Sequence, residues 1–251
     1  MKKFFAKVAI AICLAGTTMF SGCNKDNNSN IISLKVSETT LYHDDEYQIE
    51  ATSNSKITYS SENEYHARIS ESGLVTAMFV GETNILLSNS EDSKTFKVIV
   101  KPKSNLYPEP NVTFGDSKSS IIAKLGTPNS TTSTGIAYSN YSNSAPILMF
   151  LFDSSNKMTS YVIMVRSAYS SALADFLLER YLPVAEQDGL YMFINGLNVN
   201  TATMVVGLEL YDSSYWMVGY LPNTTTKSAQ LRGSKNSINT GEFDELFKKL
   251  Q

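Results

Sequence analysis

Histidine, cysteine and tryptophan are nearly absent from this chain, with 2 His, 2 Cys and 1 Trp in 251 residues. So few cysteines exclude a disulfide-stapled scaffold. Both histidines, His43 and His66, lie early, so residues 113–251 contain neither His nor Cys. That excludes a Ser-His-Asp triad, a Cys-His pair and a His- or Cys-ligated zinc site from that region. Positive charge is not in excess either: 21 Lys and Arg against 24 Asp and Glu give a net charge of -3. A nucleic-acid binder that works through a broad basic field is thereby excluded. No Gly-rich phosphate loop occurs, because Gly115 and Gly126 lack the strand-to-helix spacing of a nucleotide fingerprint. No cofactor and no metal are expected.

What is present begins with a targeting pattern. Lys2, Lys3 and Lys7 precede an apolar run over residues 8–20. That run is short of the roughly 20 residues a membrane span needs, and reads as a secretory signal peptide over residues 1–22. Phe20-Ser21-Gly22-Cys23 resembles a bacterial lipobox, with Phe20 where the pattern usually has Leu. The resemblance implies lipidation at Cys23, since Cys13 lies in the removed segment. Cleavage there removes three lysines and no acid, which takes the net charge from -3 to -6. Acyl chains on Cys23 would anchor the chain without a transmembrane helix. Asn24 rather than Asp follows Cys23, so sorting to the outer membrane is expected, and residues 23–30 read as a flexible polar tether.

Residues 31–102 carry strand patterning throughout. Tyr47, Ile49 and Ala51 alternate with Gln48 and Glu50, and Phe96, Val98 and Val100 repeat the pattern. Short strands without a helical stretch predict a β-sandwich. Tyr59-Ser60-Ser61-Glu62-Asn63, the turn Ser72-Gly73 before Leu74-Val75-Thr76-Ala77, and Gly81-Glu82-Thr83 resemble a group 2 bacterial Ig-like domain. Tyr59 stands where family members commonly carry Trp. The resemblance implies a surface location, as adhesin module or spacer, more firmly than it implies a ligand. His43 and His66 read as solvated loop or edge residues.

Pro102, Pro108 and Pro110 mark a Pro-rich linker over residues 103–112. After it, Asp116 or Ser117 can cap a helix carrying Ile121, Ile122 and Leu125, with Gly126 at its end. Strands follow at 135–141, 146–152 and 158–165, then a helix at 171–181 and strands at 190–194, 203–211 and 215–221. The expected fold is therefore an all-β Ig-like sandwich plus an α+β antiparallel-sheet domain, residues 113–251, of two helix-plus-three-strand repeats. Leu151-Phe152-Asp153-Ser154-Ser155 and Leu210-Tyr211-Asp212-Ser213-Ser214 occupy the same hairpin in each half. Phe114-Gly115-Asp116-Ser117 with Leu125-Gly126-Thr127-Pro128 resembles the first helix of small outer-membrane assembly lipoproteins and of the β-lactamase-inhibitor-protein-like fold. That resemblance carries the fold and not the inhibitory activity. A last helix is expected over residues 240–250, docked through Phe243, Leu246, Phe247 and Leu250.

Carboxylates are the remaining catalytic candidates. Asp153 and Asp212 sit in turns that favour Asp for local hydrogen bonds, and Asp175 with Glu179 reads as a solvated helix face. No enzyme is expected. Tyr138, Tyr141, Tyr215 and Trp216 are the candidate binding residues, since Tyr and Trp offer large area with a polar tip. The strand pair 147–152 and 161–165 is apolar on both faces, so one face must receive helices and the other a cover or a ligand. The expected role is a lipid-anchored, non-catalytic binding or adhesion protein on the outer-membrane surface. The membrane and an unidentified protein or glycan are its partners, and nucleic acid is not. Two alternatives stand beside it: a periplasm-facing structural or assembly lipoprotein, and a carboxylate-dependent glycan hydrolase.

Overall fold

A computed structural model of the chain describes residues 30–223 and 245–250. The signal peptide, Cys23 and residues 24–29 of the tether lie outside the described residues; its last residue, Asn30, accepts at its carbonyl from Ser53 Oγ at 3.0 Å. Among the described residues, no helix is long and apolar enough to cross a membrane.

Nine strands build the first module: β1 (Ser33–Leu34), β2 (Glu38–Tyr42), β3 (Glu46–Gln48), β4 (Ala51–Thr52), β5 (Thr58–Ser61), β6 (Ala67–Ile69), β7 (Leu74–Ala77), β8 (Gly81–Ser88) and β9 (Ser93–Lys101). One sheet has the order β2-β9-β8-β5 and the other β3-β7-β6, with β1 and β4 paired beside them. Along β8 and β9 buried and exposed positions alternate, which puts Ile85, Leu87, Phe96, Val98 and Val100 inside. Removal of that face from water, at about 25 cal/mol per Å² of apolar surface, drives the two sheets together.

The second module opens with α1 (Lys118–Leu125), β10 (Ser130–Thr131), β11 (Gly135–Ser139), β12 (Ile147–Phe152) and β13 (Met158–Arg166). A 3-10 turn, Ser167–Tyr169, leads into α2 (Ser170–Leu178), and β14 (Leu182–Gln187), β15 (Leu190–Ile194), β16 (Met204–Leu210) and β17 (Tyr215–Pro222) follow. Each helix is thus followed by four strands rather than the expected three, because β10 and β14 were not anticipated. Both are edge strands of one antiparallel sheet ordered β10-β11-β12-β13-β17-β16-β15-β14. Pro183 is tolerated in β14 because an edge strand has one partner only, and the register shifts beside it.

Both faces of this sheet are covered. On the first, α1 contributes Ile121 and α2 contributes Leu173, Phe176 and Leu177 over Phe150, Tyr161, Ile163, Val218 and Tyr220. Ser117 caps α1 by accepting from Ser120 N, and Gly126 ends it at φ 87°. The second face holds Ala137, Met149, Leu151, Val162, Met164 and Met217, and the chain's own Leu246 and Phe247 lie on it. Gly135 makes this possible, because a Cβ there would come within 2.5 Å of Leu246 Cδ1. Of the two expected uses of this face, a cover or a ligand, residues 245–250 supply the cover where they sit; residues 240–244 of the expected last helix lie outside the described residues.

Candidate functional site

Both buried charged residues among the described residues lie at the module junction. Glu179 and Arg180, at the end of α2, are 6% and 9% exposed. Glu179 accepts from Lys103 N at 2.8 Å and Ser104 N at 3.0 Å, and pairs with the Arg180 guanidinium. Arg180 also donates to Phe176 O at 3.2 Å and Ser104 O at 3.0 Å, with its Cζ 3.7 Å from the Phe176 ring centroid. One residue further, Tyr181 OH donates to the Glu109 carboxylate. The expected solvated face of Asp175 and Glu179 is half wrong: Asp175 is exposed, but the first module and the linker come to rest on Glu179.

From the first module, Val80 N donates to Glu179 O at 2.9 Å, and Tyr65 OH lies 2.6 Å from Arg180 O and 3.1 Å from Ile194 O. Burial pushes the Tyr65 phenol well above its ordinary pKa; the Leu182 backbone N–H opposes that, and the Glu109 charge adds to it. The Tyr65 ring stacks on Phe79 at 4.6 Å. His66 pairs its Nδ1 with Phe79 O at 3.1 Å, and His43 bonds Met78 O and stacks on Phe79 at 5.6 Å. Neither histidine is the solvated loop residue expected from its sequence neighbours; both are half-buried against the 78–79 segment.

The linker is built into this junction. Tyr107 is buried, with its ring 4.3 Å from that of Phe176 and its OH 2.8 Å from Tyr220 OH. Burial holds Tyr107, Tyr161, Tyr181 and Tyr220 well above the ordinary tyrosine pKa, and the nearby Glu109 charge raises each further. Ser144 donates to Leu106 O and Tyr141 OH donates to Pro108 O.

Two clefts flank the Glu179–Arg180 pair. One, of about 560 Å³, lies on the Glu179 side with His43, Asp45, Lys103 and Asp175 in its walls. The other, of about 330 Å³, lies on the Arg180 side between Asn63 and His66 of the first module, Glu109 of the linker, and Asn195 and Met204 of the second module. Among the described residues, no group of three or more His, Cys, Asp or Glu is arranged to hold a metal ion.

The four aromatics singled out in the sequence do not come together. Tyr138 is 8% exposed, a buried residue rather than the exposed aromatic expected, and its OH donates to Gly126 O at 3.0 Å. Tyr141 is tied to Pro108 O, and burial pushes its phenol up to about 12. Trp216 donates from Nε1 to Ser170 Oγ at 2.8 Å on the helix face, whereas Tyr215 packs on the opposite face, 5.9 Å from the Phe247 ring. Asp153 accepts from Ser155 N and Lys157 N, and Asp212 from Ser214 N and Tyr215 N, so each carboxylate is spent on its own turn. The junction residues Tyr65, Glu179 and Arg180 escaped local pattern reading. The sequence signal for Glu179 and Arg180 is the run Glu179-Arg180-Tyr181 at a helix end, and Tyr65 carries none of that kind.

Residues 28–102 match the family of bacterial Ig-like domains (group 2). The first module is a bacterial Ig-like domain, as its turn residues lead one to expect. Among solved structures the chain is similar to domains 4–9 of the surface layer protein SbsC, at 11% identity and a TM-score of 0.27, over 78% of this chain and 27% of that one. Domains 5–6 of the S-layer protein SbsC match at 11% identity and a TM-score of 0.24, over 78% of this chain and 85% of that one. The C-terminal domain of TagH matches at 9% identity and a TM-score of 0.26, over 67% of this chain and 98% of that one. The chain thus spans about a quarter of the SbsC fragment of six domains. No curated protein matches the chain.

Proposed function

We propose that this chain is a lipid-anchored, non-catalytic binding or adhesion protein of the bacterial cell envelope, held at the outer-membrane surface through Cys23. The bacterial Ig-like domain at residues 28–102 is the observation that carries this reading. It stands directly after the lipobox-like Phe20-Ser21-Gly22-Cys23, and so between a membrane anchor and the second module. The Ig-like domain serves as a fixed arm: Tyr65 and Val80 bond the end of α2, and Lys103 and Ser104 bond Glu179, which leaves little slack between the modules. The second module is a tandem repeat, each unit a helix followed by a four-stranded meander, joined where β13 pairs β17.

Cell fractionation tests this reading. The chain is expected in the membrane fraction, labelled by radioactive palmitate, and cleaved when intact cells are shaved with protease. Cys23→Ser should abolish the label and release the chain in soluble form. An unlabelled chain, or a Cys23→Ser chain that partitions unchanged, overturns lipid anchoring; protection from protease selects the periplasm-facing alternative.

A further inference from the structure

The exposed apolar side chains of the second module are not spread evenly over it. Among the described residues they are Tyr169, Leu178, Tyr191 and Leu210, and all four fall in residues 167–223, none in residues 113–166. Leu178 stands apart at the end of α2, but the other three gather around Trp216. Tyr191 pairs across β15 and β16 with Leu208, and Leu210 lies two residues further along β16 on the same face. Trp216 stands directly opposite Leu210 on β17 and is half-buried. Its Nε1 bond to Ser170 Oγ brings the start of α2, with Tyr169, to the same end of the sheet. This is the face that the helices cover, yet Leu210 is 54% and Tyr191 40% exposed here. Scattered apolar residues on a surface need no explanation, whereas a contiguous group of them marks an interaction site.

Charge is divided along the same line. Residues 113–166 hold four bases, Lys118, Lys124, Lys157 and Arg166, and two acids, Asp116 and Asp153. Residues 167–223 hold six acids and one base, Arg180, which is buried against Glu179. Asp175, Glu186, Asp188 and Asp212 are exposed, so every exposed charge in 167–223 is negative. Glu186 pairs with Tyr191 and puts a carboxylate on the border of the apolar group. Asp188 turns β14 into β15, and Asp212 lies in the hairpin between β16 and β17. Arg166, the base nearest in sequence, follows the inward Val165 on β13 and belongs to the opposite face.

These features select the partner. The free edge at β14 does not invite an added strand, because Pro183, the register shift beside it and the exposed Glu186 all blunt it. A partner therefore lies on the face. An apolar centre with a rim of one sign is complementary to a polypeptide that carries apolar anchors among basic side chains. A second copy of the chain brings a net charge of -3. The bases of its 113–166 half are partly engaged as well, Lys118 by Thr132 O and Ser133 O and Lys124 by Asp116. A neutral glycan gains nothing from the carboxylate rim, and at Leu210, the most exposed of the group, it meets no ring to stack on.

We infer that the surface formed by Tyr169, Tyr191, Leu210 and Trp216 docks a basic polypeptide segment of a partner protein, its apolar side chains on Leu210 and Tyr191 and its Lys or Arg side chains towards Glu186, Asp188 and Asp212. This inference rests on the reading of the chain as a binding protein. It involves neither Cys23 nor the membrane, so its failure leaves the fractionation test untouched, and failure of lipid anchoring leaves this surface in place.

The test uses the chain beyond the signal segment, residues 24–251, in solution without detergent. Trp216 is the one tryptophan of the sequence, so its emission reports from the proposed surface. The probes are a synthetic amphipathic peptide of Leu and Lys, its Leu and Glu counterpart, oligolysine and chitobiose, all without tryptophan. The Leu–Lys peptide should move the Trp216 emission saturably to shorter wavelength, less strongly as salt is added. The other three should bind at least about tenfold more weakly. Leu210→Ser and Tyr191→Ser should each weaken the Leu–Lys peptide about fivefold or more, and Glu186→Gln should flatten the salt dependence. Leu86→Ser, at an exposed position of β8 in the Ig-like domain, should change nothing. The order of the four probes on the unaltered chain is informative even where a variant fails to fold. Absence of a saturable shift, equal binding of the Leu–Glu peptide or of chitobiose, a shift that follows self-association of the chain, full affinity in folded Leu210→Ser or Tyr191→Ser, or a loss in Leu86→Ser overturns the proposal.

Discussion

The two modules cover their sheets in different ways. In the Ig-like domain each sheet hides one face, so β8 and β9 alternate buried and exposed residues. In the second module β12 is buried at every position, and β13 at all but two. A sheet of the first kind satisfies itself by pairing with another sheet of its own kind. A sheet of the second kind needs two separate covers, here the two helices on one face and residues 245–250 on the other. The contrast teaches where each module depends on distant chain: the Ig-like domain hardly at all within its core, the second module at its linker and its C-terminal end.

The junction is where that contrast breaks first. Glu179→Ala should have the largest effect, because it leaves the Arg180 guanidinium and the Lys103 and Ser104 N–H groups without their buried acceptor. Loss of one partner of such a pair costs about 3–5 kcal/mol. The expected outcome in scanning calorimetry is one joint transition for the native chain and two for the variant, the Ig-like domain melting separately. A single transition in the variant would mean that Tyr65 and Val80 suffice to couple the modules.

Next comes the C-terminal cover. Phe247 is 4% exposed and meets the rings of Tyr211 and Tyr215 at 5.2 and 5.9 Å. Burial of a large apolar side chain is worth about 1.5–3 kcal/mol, and a terminal segment can lift away rather than leave a cavity. Phe247→Ala is therefore expected to lower the stability of the second module by about 2 kcal/mol. Hydrogen exchange should quicken in β11 to β13 and stay unchanged in β8 and β9. Equal quickening in both modules would show that the cover acts through the junction instead.

The same difference decides what can be read from sequence. Local signals were sufficient for α1, whose start and end are fixed by Ser117 and Gly126, and for the Ig-like strands, whose alternation is complete within each strand. Pro183 hides β14, yet Asp188-Gly189 announces its hairpin: both take positive φ, 52° and 81°, in a two-residue turn between Gln187 and Leu190. The junction is different in kind. Glu179 looks like any acid on a helix surface until Val80, Lys103 and Ser104 arrive from elsewhere in the chain. The candidate binding aromatics likewise carry polar tips that the fold spends internally, on Gly126 O, Pro108 O and Ser170 Oγ. Composition shows that such groups need partners; only the tertiary arrangement assigns them.

Acid provides the smallest and most discriminating effect. In the Ig-like domain the Ile32 backbone N–H, foremost among its causes, holds Asp92 below the ordinary carboxylate range. In the second module the Lys124 side chain does the same for Asp116, helped by Thr113 N. A carboxyl whose folded pKa is depressed contributes stability that is present above the unfolded value of 3.8 and is lost as pH falls through the lower folded value. Both modules should therefore lose a little stability below about pH 4, Asp92→Asn removing that loss from the Ig-like domain alone and Asp116→Asn from the second module alone. Salt separates them further. Added salt screens the Lys124–Asp116 pair, the foremost cause there, whereas Asp92 is held first by a backbone N–H and only secondarily by Lys94 at 3.6 Å, and is less sensitive. Acid titrations of the two single variants at low and high salt should show a more salt-dependent contribution in the second module than in the Ig-like domain, where Lys94 adds only a secondary charge, and equal screening in both would reverse the assignment of Asp92 chiefly to the Ile32 backbone.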